Sequence, residues 1–197
     1  MKLRLPATMK TKEKDILSTA AMLFKRYGFK KVSVEEICRY AGVSKATFYK
    51  YYEGKEGVIR RFLEIMFEDM IKRSYDMLHS DLDLKDKFDK VIIMKLEFID
   101  ELGEEVVKAL YDYPLAQKFY EEIQAKSLQD FRRFLLNEQS QGRIDPEINM
   151  DLILAVLGEF ARLFAEHRFE SVCPDFHSMV AQVNKLLVFG LLGPSAR

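Results

Sequence analysis

Two cysteines in 197 residues are too few for a disulfide framework. Cys38 falls on the apolar side of a short helical pattern and is expected to be a small buried hydrophobe. No stretch of about 18 uncharged apolar residues occurs, so a membrane-spanning helix is not expected. The start MKLRLPATMK is basic, but no apolar segment follows it directly, so no secretory leader is expected either. These absences together predict a reducing, cytoplasmic setting. Catalytic signatures are also missing. There is no glycine-rich phosphate loop after a strand, no nucleophile elbow and no convincing catalytic cluster, so enzymatic activity is not expected. Of three histidines, His79 has no companion. His167, Cys173 and His177 have weak spacing for a metal site, and incidental placement on a surface loop is the better reading. Neither a metal nor a cofactor is expected.

Net charge is another thing the chain lacks, with 31 Lys/Arg against 31 Asp/Glu. Taken whole, that balance argues against a nucleic-acid partner. Its distribution reverses the inference: residues 1–60 hold 14 Lys/Arg and 6 Asp/Glu, and residues 61–197 hold 17 and 25. A basic module next to an acidic one implies that the first meets a polyanion and the second does something else.

The basic part contains the most informative stretch, SVEEICRYAGVSKATFYKYYEGK, Ser33 to Lys55. Ser33 with Glu36 forms a capping box, so a helix starts after Ser33. Gly42 supplies the positive φ of a tight helix exit. Ser44 caps a second helix over Lys45 to about Tyr51. Two short helices about a tight turn make a helix-turn-helix, whose second helix enters the DNA major groove. At 100° per residue, Phe48 and Tyr52 share the core face with Ile37, Ala41 and Val43. Ala46, Thr47 and Lys50 face the partner. Ala46 allows close approach, Thr47 reaches several bases or a thymine methyl, and Lys50 reaches guanine acceptors. Tyr49 and Tyr51 flank them with hydroxyls for phosphates, and Lys55 offers a further anion contact. Ser33, Ser44 and Lys45 complete the set assigned to double-stranded DNA. An upstream helix over about Lys12–Tyr27, ended by Gly28, completes a three-helix module. Residues 1–9 read as a disordered basic arm, or as an extra DNA contact.

These residues resemble the DNA-binding signature of the TetR family of transcriptional regulators. Gly42, Val43, Ser44, Thr47, Phe48, Tyr49, Tyr51, Lys55 and Glu56 fit it, and Ala20/Ala21, Leu23, Phe24, Gly28 and Phe29 fit its first helix. Tyr52, Gly54 and Gly57 depart from the commoner residues. The resemblance covers about residues 10–60 in motif detail and only size and helical character beyond. It implies an all-α homodimer, with small molecules sensed between the middle helices.

Past the short join Glu53–Gly54, helical periodicity continues over about Lys55–Leu78, Leu84–Leu102, Glu104–Tyr111 and Pro114–Gln141. The Leu84–Leu102 pattern carries Phe88, Val91, Ile92, Lys95 and Phe98. A further helix is expected from an N-cap at Asp145 to about His167, and a last one from Asp175 to about Leu192. Among the middle helices Phe67, Met70, Met94, Phe98, Tyr111, Tyr120, Phe160 and Phe164 are candidates for a ligand cavity, with Glu97, Glu159, Arg162 and His167 as its polar groups. Plain core packing is the alternative for each apolar residue, and an intrahelical ion pair for Glu159 and Arg162. Ala155, Gly158, Ala161 and Ala165 form a small-residue stripe, and Leu187 and Leu191 lie on a last helix apolar nearly all round. A second subunit would cover both; burial within one monomer is the alternative.

The sequence thus predicts an all-α protein of about nine helices: an N-terminal helix-turn-helix domain over residues 1–54, then a larger ligand-binding and dimerisation domain over 55–197. The expected function is a DNA-binding regulator, a repressor released by a small, largely apolar effector. The rivals are an activator or a DNA binder without a ligand, and a helical binding protein or enzyme with a vestigial head.

Overall fold

The computed structural model describes residues 5–165 and 176–192, with side chains described except at 161–165, 176–177, 187–189 and 191–192. All regular structure among them is helical: α1 (Thr11–Lys31), α2 (Val34–Ala41), α3 (Lys45–Tyr49), α4 (Lys55–Leu78), α5 (Leu84–Leu102), α6 (Glu104–Asp112), α7 (Pro114–Ser140), α8 (Met150–Ala165) and α9 (Phe176–Leu192). None of these is long and apolar enough to cross a membrane.

The chain packs as two compact units, residues 1–72 with 97–123, and residues 73–96 with 124–197. The expected boundary after Gly54 is not one between these units: packing groups the first part of α4, the end of α5, α6 and the start of α7 with the head.

In the first unit, Phe24, Phe29 and Phe62 are almost wholly buried, with ring centroids 5.0 Å apart for Phe24–Phe29, 5.9 Å for Phe24–Phe62 and 6.3 Å for Phe29–Phe62. Tyr113 closes this group at 5.6 Å from Phe29. Such edge-to-face and tilted contacts suit the ring quadrupoles. α1 runs past Gly28, but Gly28 has φ 77° and ψ 168°, so the helix breaks there as its sequence demands and one more turn follows. That φ/ψ pair is open essentially to glycine alone.

The second unit has its own core of Leu84, Phe88, Phe134, Leu135, Ile144, Met150 and Leu154. Glu138, 3% exposed, receives a two-pronged hydrogen bond from Arg143, which holds its carboxyl below the usual range. The Arg132 guanidinium clamps Asp151 at 2.7 and 3.2 Å. Asn184 of α9 donates to Asp89 of α5 at 3.0 Å.

One expected boundary is wrong. α8 starts at Met150 and not after Asp145. The Asp145 carboxylate accepts from the Glu147 N–H at 2.9 Å, and the Ile148 N–H closes on the Asp145 carbonyl at 3.2 Å, so Asp145–Pro146 makes a turn. Asn149 is the cap, its side chain accepting from Asp151 and Leu152 N–H groups. The end expected near His167, and the cap at Asp175, lie outside the described residues.

Candidate nucleic-acid interface and effector region

The reading head is set by local side-chain bonds. Ser33 Oγ accepts from the Glu36 N–H at 3.2 Å, and Glu36 Oε2 accepts from the Ser33 N–H and hydroxyl, both at 2.9 Å. Those bonds hold the Glu36 carboxyl below its ordinary range. Gly42 is left-handed at φ 63°, ψ 38°, and the Val43 N–H bonds the Cys38 carbonyl at 3.0 Å, ending α2. Cys38 is buried, and desolvation pushes its thiol pKa up. Ser44 Oγ accepts from the Thr47 N–H at 3.1 Å and shares a hydrogen bond with the Thr47 hydroxyl at 3.0 Å.

The core face is placed as expected: Ile37 and Phe48 are fully buried and Tyr52 is 6% exposed, while Ala41 and Val43 are half-buried. α3 is shorter than expected, with Lys50 and Tyr51 in the turn that follows it. Ser44, Lys45, Ala46, Tyr49 and Lys50 are exposed; Ser33, Thr47, Tyr51 and Lys55 are half-buried. These residues are not equally available. Lys45 is ion-paired with Glu35, and its pKa is raised by that bond. Lys55 donates to the Lys30 carbonyl at 3.2 Å, and desolvation lowers its pKa. An ammonium has three donors, so two remain for a phosphate. Sequence reasoning missed Tyr40, 60% exposed at the end of α2, with the Arg39 guanidinium over its ring at 4.9 Å. An exposed aromatic beside a basic residue in a basic head is the signal that was there to read.

The head also meets the end of α5 and α6, which sequence periodicity did not foretell. Lys25 Nζ donates to the Glu101 carbonyl, and Lys30 pairs with Asp112 at 2.9 Å. A Cβ at Gly28 would lie 3.2 Å from Glu105 Oε2.

Among the effector candidates, Phe67 is the hub. Its ring lies 5.1 Å from Phe98, 5.7 Å from Phe119 and 5.8 Å from Tyr120, and Tyr120 lies 5.6 Å from Tyr111. Phe67, Met70 and Phe98 are buried, Tyr120 is half-buried and Tyr111 is 40% exposed. Desolvation, then the Tyr120 hydroxyl, pushes the Tyr111 phenol pKa up. All five belong to the first unit; Met94 and Phe160, both half-buried, belong to the second. Glu97 and Glu159 are exposed. The side chains of Phe164, Arg162, His167 and His177, and Cys173 itself, lie outside the described residues. Among the described residues, no three His, Cys, Asp or Glu are grouped to hold a metal ion.

On α8, Ala155 and Gly158 are exposed, and a Cβ at Gly158 would meet nothing within 4 Å. Ala155, Val156, Glu159 and Phe160 line an open depression of about 300 Å³. Leu152 is 62% exposed and Leu186 of α9 is 72% exposed. The side chains of Ala161, Ala165, Leu187 and Leu191 lie outside the described residues.

The match to known proteins is sharpest over the head. Residues 16–62 match the model for bacterial regulatory proteins of the tetR family. The uncharacterized HTH-type transcriptional regulator YuxN of Bacillus subtilis is 37% identical over 65 residues, which span 33% of this chain and 22% of that protein. YdgC, another uncharacterized HTH-type transcriptional regulator of Bacillus subtilis, is 24% identical over 91% of this chain and 92% of its own length. The crystal structure of the transcriptional regulator FadR from Bacillus subtilis, in complex with stearoyl-CoA, shares the fold with a TM-score of 0.63, at 21% identity over 90% of this chain and 98% of that one. With its capped helix-turn-helix and that match, residues 16–62 form a DNA-binding domain like that of the tetR family of bacterial regulatory proteins, on an all-helical body that shares its fold with solved transcriptional regulators.

Proposed function

We propose that the protein is a homodimeric repressor released from its operator by a small, largely apolar effector. The observation that carries this reading is the placement of the aromatic group Phe67, Phe98, Tyr111 and Tyr120 in the same compact unit as the head, on helices that include α5 and α6, both of which bond α1. A ligand among these rings would displace α6 or α4, and both continue into contacts with the reading module. The head itself carries nothing that could sense a signal. If the ligand favours one conformer and the operator the other, linkage makes the two antagonistic.

The DNA-binding surface is Ser33, Ser44, Lys45, Ala46, Thr47, Tyr49, Lys50, Tyr51 and Lys55. Lys50 is the base reader; it is exposed and engaged with no other described side chain. Lys55 serves a phosphate. The dimer forms through the apolar face of α8 and α9, and two heads enter successive major grooves about 34 Å apart. The stearoyl-CoA bound by the Bacillus subtilis FadR makes a long apolar chain the natural first probe for the effector.

The test is operator binding by the full-length protein, on DNA selected from a random pool, across a salt series. Lys50→Ala is expected to change sequence preference, costing roughly 1–3 kcal/mol at one base position. Lys55→Ala should weaken all duplexes alike and reduce the salt slope by about one. Stearoyl-CoA should release the DNA. Equal, sequence-independent losses from both substitutions would place Lys50 on a phosphate. Tight operator binding that no apolar ligand alters would leave a regulator without an effector.

A further inference from the structure

α2 starts with two adjacent glutamates that are put to different uses. Glu36 is spent inside its own helix, where its carboxylate accepts from the Ser33 N–H and hydroxyl and completes the capping box. Glu35 takes no part in that box. It crosses to the next helix and pairs with Lys45, the first residue of α3. Both side chains stand well out from the protein, Lys45 at 58% and Glu35 at 62% exposure. An exposed ion pair of this kind contributes little to folding. Its position is more telling. Lys45 stands next to Ala46 on the surface assigned to DNA, so its partner carboxylate lies on a face that meets a polyanion.

Phosphates repel a carboxylate, so its use on that face has to come from a base. The bond from Lys45 holds the Glu35 carboxyl below its ordinary range, so it stays ionised and can only accept. In the major groove a carboxylate accepts from cytosine N4, and a lysine donates to guanine O6 and N7. On the edge of a G·C pair, guanine O6 and cytosine N4 lie side by side, an acceptor next to a donor. The Lys45–Glu35 pair offers the complement, a donor next to an acceptor. An A·T pair also sets a donor beside an acceptor, adenine N6 and thymine O4. There the carboxylate would lie against the N7 acceptor and the ammonium against the thymine methyl.

We propose that Glu35 and Lys45 together read one G·C base pair, Lys45 donating to guanine O6 and N7 and Glu35 accepting from cytosine N4. This rests on the DNA-binding surface proposed above and adds Glu35 to it, with a base assigned to Lys45. The ion pair need not break on binding, because an ammonium has three donors and can hold the carboxylate and the guanine at once. The two charges cancel, so the pair adds nothing to the general attraction for phosphates and acts on sequence alone.

The experiment is selection of duplexes from a random pool by the full-length protein, run in parallel for the wild type, Glu35→Gln, Lys45→Met and the double variant. Affinities are then measured over a salt series for the wild type's selected duplex and for an unrelated one. The wild type is expected to demand G·C at one position that both single variants relax, with discrimination there falling about ten-fold and the other positions keeping their bases. Glu35→Gln should admit adenine in place of that cytosine, because an amide accepts from N6 and donates to N7. It should also bind the unrelated duplex more tightly, with a salt slope steeper by about one, since Lys45 is no longer neutralised. The double variant should lose no more discrimination than either single one, because both act on one base pair. The same bases selected by Glu35→Gln as by the wild type, or a uniform loss for every duplex, overturns the proposal, makes Glu35 a tie between α2 and α3, and leaves the DNA-binding surface standing. Relaxation at a different position in each single variant overturns the shared base pair. A wild type that selects no sequence overturns the surface and the pair together.

Discussion

The first unit and the second satisfy their apolar residues differently. In the first, the large rings that anchor the packing, Phe24, Phe29, Phe48 and Phe62, are each no more than 1% exposed. In the second, a core of similar make-up lies beside residues left in the open: Leu152 at 62%, Val156 at 37% and Leu186 at 72%. Several hydrophobes together on the same two helices form a surface awaiting another surface, whereas isolated exposed ones need no explanation. The first unit also exposes hydrophobes, Met22 at 55% and Tyr40 at 60% among them, so the contrast lies in the aliphatic residues of α8 and α9, and it is on these that the proposed dimer interface rests.

The comparison breaks most severely at Phe62. Phe62→Ala is expected to cost about 3–5 kcal/mol, the usual loss for a buried ring, and to unfold the first unit in a denaturant titration. A loss below about 1 kcal/mol would mean that the three-ring group is not its anchor. Gly28→Ala comes next. The backbone at φ 77°, ψ 168° excludes an L side chain, at a cost of about 1–3 kcal/mol. The neighbouring Glu105 carboxylate can swing aside, so the strain lies in the backbone. Operator affinity should fall with stability, because the bend sits where α1 meets α6.

Leu186→Glu tests the other side of the comparison. Folding of the monomer should be unchanged, and the dimer should dissociate at roughly 10- to 100-fold lower dilution, as sedimentation would show, since a buried leucine is worth about 1.5–3 kcal/mol. Gly158→Leu should act the same way, because the monomer leaves open space there. Intact dimers from both would move the interface elsewhere. The smallest effect is expected at Tyr52, whose hydroxyl is buried in the head without a hydrogen-bond partner. Tyr52→Phe should stabilise the head by about 1 kcal/mol, as a modest rise in melting temperature. A destabilised Tyr52→Phe would show that the hydroxyl has a partner after all.

Legibility in the sequence followed the range of the forces involved. Ser33 with Glu36, Gly42 and Ser44 were readable because a cap or a left-handed exit involves residues within four positions of one another. Asp145–Pro146 misled for the same reason: a turn and a helix start use the same residues, and only the following Asn149 decides between them. The ion pair of Lys30 with Asp112 and the bond from Lys25 to the Glu101 carbonyl were invisible, because tertiary pairing over that distance leaves no periodicity. Phe67, Phe98 and Tyr120 were recognised as one aromatic set by composition. That Phe67 stands at its centre needed the packing. Lys95 was written into an apolar stripe by its spacing, and only its exposure set it apart from the others.

The Lys30–Asp112 pair has a consequence in time. Its partners lie 82 residues apart in the chain. At a synthesis rate of about 5–20 residues per second, Asp112 follows Lys30 by roughly 4–16 seconds. The three helices of the head, two of them with side-chain caps of their own, end at Tyr49 and so are synthesised before Asp112. For the later part of that interval the nascent chain owns a reading head to which α6 has not yet been fastened.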